Sequence, residues 1–207
     1  MKISHDVNMD ARSSAVKSKT RPYTLKKRAE RQAETRQRIV DAAMGLHATV
    51  GPAFTTLTMV AERAGVQRHT LYAHFPDERA LLLACSATAL EQDPLPDPEP
   101  WRAVPDRDER LRAGLGAIYA WYGRNEGQAA CVLRDAESHE LTREIVTLRM
   151  GPLFMAFHEV LGAELDHTGQ AMLGLALGFH TWRSLVREGG LAPDEAVDAM
   201  VRAIGSA

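Results

Sequence analysis

Residues 61–75, AERAGVQRHTLYAHF, hold two short helical runs with a glycine where the first run should continue. Only glycine reaches left-handed backbone without strain, so Gly65 ends the first run and a sharp turn through residues 65–67 is expected. The second run covers about residues 68–74 and ends in Tyr-x-His-Phe. Its Leu71 and Phe75 are spaced to pack back on earlier helices, which leaves Arg68, His69, Thr70 and Ala73 on the other side. Two short helices joined by a tight turn and backed by a preceding helix form a helix-turn-helix unit.

Helical patterning extends along the rest of the chain. A first helix runs from about residue 28 to Val50, with Ile39, Ala42, Ala43 and Leu46 on one face and Gly51 and Pro52 as its stop. Thr55, Thr56 and Thr58 offer N-cap oxygens to the next helix, and Pro76 and Asp77 open a fourth that carries Leu81, Leu82 and Cys85. Residues 93–105 contain five prolines and read as a linker. Beyond it, Asp106 caps a helix striped with Leu111, Leu115, Ile118, Tyr119 and Tyr122, and a shorter piece covers about residues 128–136. A long helix over 141–161, kinked at Gly151 and Pro152, an apolar helix over 168–187 and a last one from Pro193 complete the chain. No alternating strand pattern of useful length occurs, so the fold class is all-α. The expected organisation is a basic arm over 1–27, disordered until it is bound, then a three-helix helix-turn-helix domain over 28–92. The linker over 93–105 and a C-terminal helical domain over 106–207 follow.

Charge sharpens this division. The overall charge is -2, yet the first 38 residues carry eleven Lys/Arg against four Asp/Glu, net +7, which leaves -9 on the remainder. A basic front end on an acidic body suits a polyanionic partner, and equally a solvated tail. The two cysteines, Cys85 and Cys131, have no metal or redox spacing. No apolar run reaches the roughly 18 residues of a membrane span, and the N-terminus has no apolar core of a signal peptide. A cytoplasmic protein without cofactor or metal is expected.

A short, exposed helix is what the major groove admits, and the helix before it crosses the backbone. Arg68, His69 and Thr70 then face the groove, while Tyr72 and His74 donate to phosphates and fix register. Thr56 and Thr58, at the start of the second helix, and Gln67, at the start of the third, complete the candidate DNA-facing set on these two helices.

The stretch 57–82, LTMVAERAGVQRHTLYAHFPDERALL, preceded by RIVDAAMGL, resembles the DNA-binding domain of the TetR family of bacterial transcriptional repressors over about residues 35–90. The resemblance implies that Thr70, Tyr72 and His74 take the family's DNA-contact positions, and Arg68 and His69 its variable, sequence-reading ones. Gln67 stands where a small N-cap such as Ser is usual. Glu78 stands where the family has a phosphate-binding lysine, with Arg79 beside it as a substitute.

The resemblance also implies a homodimer built by the last two long helices and a C-terminal pocket for a small-molecule effector. Residues 168–179 are too apolar around their circumference for a surface helix, and Gly174 and Gly178 lie one turn apart. A buried core helix would read the same way. Trp121, Tyr122, Phe154, Met155, His158, Phe179 and Trp182 could surround an apolar ligand, although such a stripe also makes plain core. The reading is thus a DNA-binding repressor released from double-stranded operator DNA by a ligand. Two other classes compete with it. A dimeric adaptor without DNA binding is favoured only by Glu78. An all-α enzyme would use the C-terminal cavity, but no nucleophile elbow, phosphate loop, paired-carboxylate or zinc motif is present.

Overall fold

The computed structural model describes residues 20–206. Helix α1, Thr20–His47, begins well before residue 28. From Leu25 onward Lys, Arg, Ala, Glu and Gln, all good helix formers, fill the helix, and its start at Thr20 lies within the arm expected to be unordered. The rest of that arm lies outside the described residues. The structure divides after Gln37 into two units. The part of α1 before Arg38 carries an exposed Lys26–Glu30 pair one turn apart.

From Arg38 onward the chain is helical, and among the described residues there is no strand. Helices α2 (Leu57–Ala64), α3 (Arg68–His74) and α4 (Glu78–Gln92) follow a single 3-10 turn at Pro52–Phe54. One core collects Ile39, Val40, Ala43 and Leu46 of α1 with Val60, Leu71, Phe75, Leu81 and Cys85. A second core lies among α6 (Arg107–Ser138), α7 (Glu140–Leu161), α8 (His167–Ala176), α9 (Phe179–Arg183) and α10 (Pro193–Gly205). The proline-rich segment is more than a linker. It contains the one-turn helix α5, Glu99–Arg102, and buries Leu95 and Trp101 in the second core.

Helix α6 is long but interrupted at Asn125, whose backbone leaves helical geometry (φ -109°, ψ 16°). The Asn125 amide nitrogen donates to the Asp93 carboxylate at 2.7 Å and to the Trp121 carbonyl at 3.0 Å. The shorter piece read from about residue 128 is the part of α6 beyond this break. The apolar helix expected over 168–187 is likewise not continuous. It stops at Ala176, resumes at Phe179 as α9 and ends in a π-type turn at Ser184–Glu188. The Tyr119 hydroxyl donates to the Ala176 carbonyl at 3.0 Å and the Tyr122 hydroxyl to the Leu177 carbonyl at 2.7 Å. These bonds satisfy two carbonyls at the break from outside the helix. Burial pushes both phenols well above their ordinary pKa, so they remain donors.

Candidate nucleic-acid interface and effector cavity

The helix-turn-helix is built from local signals. Thr56 has extended backbone and its side-chain oxygen accepts from the Met59 amide at 3.2 Å, which caps α2. Gly65 sits at φ 64°, ψ 38°, and the Val66 amide returns to the Ala61 carbonyl at 3.0 Å, closing the helix. Gln67 starts α3 with extended backbone and no side-chain cap bond. The inward face of α3 is Leu71 and Phe75, both essentially inaccessible. Its outward face is Arg68, His69, Ala73 and Tyr72, the last 43% exposed, with Thr70 and His74 half-buried at the margins.

Asp77 caps α4 through the Ala80 amide at 2.7 Å, and Glu78 lies in its first turn, where the helix dipole favours a negative charge. Arg79 does not offer a free guanidinium. Its Nε and Nη2 both donate to Glu144 of α7, at 3.0 and 2.6 Å, and this partner raises its pKa through hydrogen bonding and charge. A second arginine ties the same two helices. Arg149 of α7 donates to the Leu83 carbonyl at 3.1 Å and to the Ser86 hydroxyl at 3.3 Å.

Between α4, α6 and α7 lies a largely apolar cavity of about 100 Å³, with His47 and Pro52 also in its lining. Burial pushes the His47 pKa down to about 4 from its ordinary 6.5, with nearby Asp135 acting in the opposite direction. Asp135 is itself buried, and its Oδ2 accepts the Ala53 amide at 2.9 Å while Oδ1 accepts Arg134 Nε at 2.8 Å. Arg134 also donates to the Val50 carbonyl at 3.0 Å. The end of α1 is therefore fastened to α6 through backbone groups of the turn between α1 and α2.

The depressed pKa of His47 makes stability pH-dependent. The neutral ring fits the fold, so its contribution is present above the ordinary pKa of 6.5 and is lost as pH falls toward 4. Between about pH 7 and about pH 5 the loss from this residue should be about 2 kcal/mol. Urea unfolding at the two pH values checks it: His47→Gln should remove that part of the slope.

A family model described as bacterial regulatory proteins, tetR family, matches residues 39–85, from the end of α1 to the middle of α4. The HTH-type transcriptional regulator SrpR of Pseudomonas putida is 39% identical over 85 residues, covering 38% of this chain and 40% of SrpR. The chain spans only 40% and 63% of the length of two curated relatives that it matches over 85 residues. The likeness reaches beyond the helix-turn-helix in another relative. The uncharacterized HTH-type transcriptional regulator MT2310 of Mycobacterium tuberculosis is 30% identical over 174 residues, 82% of this chain and 87% of that one. The chain belongs to the TetR family.

A solved structure supports the fold over most of this TetR-family chain. The transcriptional regulator FadR from Bacillus subtilis, in complex with stearoyl-CoA, superposes with a TM-score of 0.59 at 15% identity, covering 81% of this chain and 96% of FadR. Against this frame the expected DNA-facing residues fall into two groups. Thr56, Gln67, Arg68, His69 and Tyr72 are exposed, and Thr58, Thr70 and His74 half-buried, all on or beside α2 and α3. Arg79, expected to substitute for the family's lysine, is turned to Glu144 instead.

The expected ligand-facing set is not brought together. Trp121 lines the cavity and donates its indole N–H to the Asp93 carbonyl at 3.0 Å. Tyr122, Phe179 and Trp182 pack on one another, with ring centroids 5.3–5.9 Å apart, and belong to the second core rather than to the wall of this cavity, although Trp182 also borders a separate pocket beside Tyr119, Val186 and Val197. Phe154 packs on Phe157 at 5.3 Å, His158 is half-buried, and Met155 is 69% exposed. Periodicity identifies a buried stripe but not which side of the stripe is empty. Conversely, His47, Asn125, Gln128, Thr142 and Arg149 line the cavity, and no spacing in the sequence marks them. Among the described residues no helix is long and apolar enough to cross a membrane.

Proposed function

We propose that this chain is a cytoplasmic, homodimeric transcriptional repressor that binds operator DNA through α3 and is released by a small-molecule effector. The observation that carries this reading is the outward face of α3. Arg68, His69 and Tyr72 are exposed on a short helix whose back, Leu71 and Phe75, is sealed into a core. In this reading Arg68 and His69 meet base edges. Thr70, Tyr72 and His74, with Thr56, Thr58 and Gln67, hold phosphates. Residues 28–92 form the DNA-binding domain and 106–207 the effector and dimer domain. Arg79 reaches a phosphate only by leaving Glu144.

For the dimer, Ala171, Gly174 and Leu175 leave an apolar stripe open along α8. For the effector, the FadR complex with stearoyl-CoA supports a ligand-responsive reading of this architecture. The effector acts by binding better to the conformation in which the two reading helices no longer fit successive grooves, and DNA weakens the effector equally.

An electrophoretic shift with the DNA upstream of the gene tests this directly. Wild-type protein should shift it, whereas no shift at low salt would sink the reading in favour of an adaptor. Arg68→Ala and His69→Ala should alter the preferred sequence, with each base-edge contact worth about 1–3 kcal/mol. A binding-site selection in which both variants keep the wild-type consensus would contradict their role.

A further inference from the structure

The walls of the cavity between α4, α6 and α7 are apolar, with Leu82, Leu90, Trp121, Ile145, Val146 and Met150 among them. Among the described residues no aspartate or glutamate lines it, so no carboxylate there pairs with a cationic ligand. The single permanent charge of the lining is Arg149 at its exposed rim. Arg149 donates only to neutral acceptors, the Leu83 carbonyl and the Ser86 hydroxyl, and among the described residues it has no carboxylate partner. The other arginine that joins α7 to α4, Arg79, differs in this respect, because Glu144 already neutralises it. Gln128 adds a side-chain amide without a hydrogen bond among the described residues, and burial pushes the His47 pKa down so that the ring is neutral.

We infer that the effector is an amphipathic organic anion, a carboxylate on an apolar body, whose body fills this cavity and whose head pairs with Arg149. An arginine fork bonds a carboxylate more strongly than it bonds a carbonyl and a hydroxyl, because both partners are then charged. The incoming head therefore competes with Leu83 and Ser86 for the guanidinium. Arg149 swings to the ligand, and α4 loses one of its two arginine ties to α7, while the Arg79–Glu144 tie remains as a pivot. Helix α4 directly follows the reading helix, so the loosened tie lies next to the element that must move. This assignment of ligand class rests on the regulator reading only for its consequence at DNA. The binding event itself stands independently of it.

Calorimetry on the full chain with octanoate, octanol and octylamine tests the assignment. These probes share one apolar body and differ in the charge of the head. Octanoate should bind at least about tenfold more tightly than octanol, and octylamine weakest of the three. Arg149→Gln should abolish the preference for octanoate while leaving octanol unchanged, and Arg149→Lys should keep part of it. Thermal melting of each variant shows that it is folded, and the wild-type selectivity needs no variant. On operator DNA, octanoate should release the wild type but not Arg149→Gln. Equal binding of octanol or octylamine, or an octanoate preference that survives Arg149→Gln, overturns the assignment. A protein that shifts DNA but ignores octanoate overturns this inference alone. One that binds octanoate through Arg149 but shifts no DNA sinks the regulator reading and leaves the cavity assignment standing.

Discussion

Leu71→Ala is expected to destabilise the protein by about 2–5 kcal/mol and to abolish specific DNA binding, although Leu71 touches no DNA. Leu71 is fully buried and is the residue by which the seven-residue α3 is held to α1 and α2. A helix that short does not persist alone in water, and α3 begins at Gln67 without a side-chain cap. Removing its anchor leaves both a cavity and a reading helix without a fixed position. Urea unfolding and an electrophoretic shift, run on the same preparation, check the two halves of the expectation. By contrast, His69→Ala, on the exposed face, should change stability by no more than about 0.5 kcal/mol. If Leu71→Ala keeps wild-type affinity, α3 is not the reading helix.

Trp182→Ala should have a comparable effect in the other core, costing about 3–5 kcal/mol. The indole is 1% exposed, packs on Tyr122 and Phe179 with centroids 5.9 and 5.4 Å away, and carries the Arg187 guanidinium 5.2 Å above its ring. Loss on that scale lowers the melting temperature by on the order of 10 °C for a unit of this size. The measurement also separates the two roles that its sequence position permits. A wall of an effector site would lose effector affinity with little change in melting, whereas a core residue loses stability first. A melting temperature within a degree or two of wild type would return Trp182 to the list of ligand contacts.

The parts of this fold legible in the sequence are those set by neighbours along the chain. Thr56 before α2, Gly65 after it and Asp77 before α4 each act through backbone groups within four residues, so their spacing alone places α2, α3 and the start of α4. The break between α8 and α9 could not be read that way. The hydroxyls that accompany it belong to Tyr119 and Tyr122, more than fifty residues earlier. Arg79 illustrates the same limit at the candidate site. Its position by resemblance points to DNA, and its partner Glu144 lies 65 residues away. The cavity was illegible for a related reason, since empty space is a property of three helices together and not of any one stripe.

The fastening at Asp135 has a consequence for how sequences of this kind can diverge. The groups it grips in the turn after α1 are the Ala53 amide and, through Arg134, the Val50 carbonyl, which nearly any residue would supply. Most of the chemical selectivity of the joint therefore sits on α6, with the Phe54 ring 5.8 Å from the Arg134 guanidinium as the side chain the turn adds. Gly51 is a further exception, with φ at 99° and a Cβ position that would overlap the Asp135 carboxylate. Drift at Val50 and Ala53 should be nearly free, whereas Gly51, buried Pro52 and Thr55, whose hydroxyl donates to the Gly51 carbonyl at 2.7 Å, hold the turn to its shape. Arg134 and Asp135 should be inherited or lost together with Gly51, as one trait spread over two distant stretches of chain.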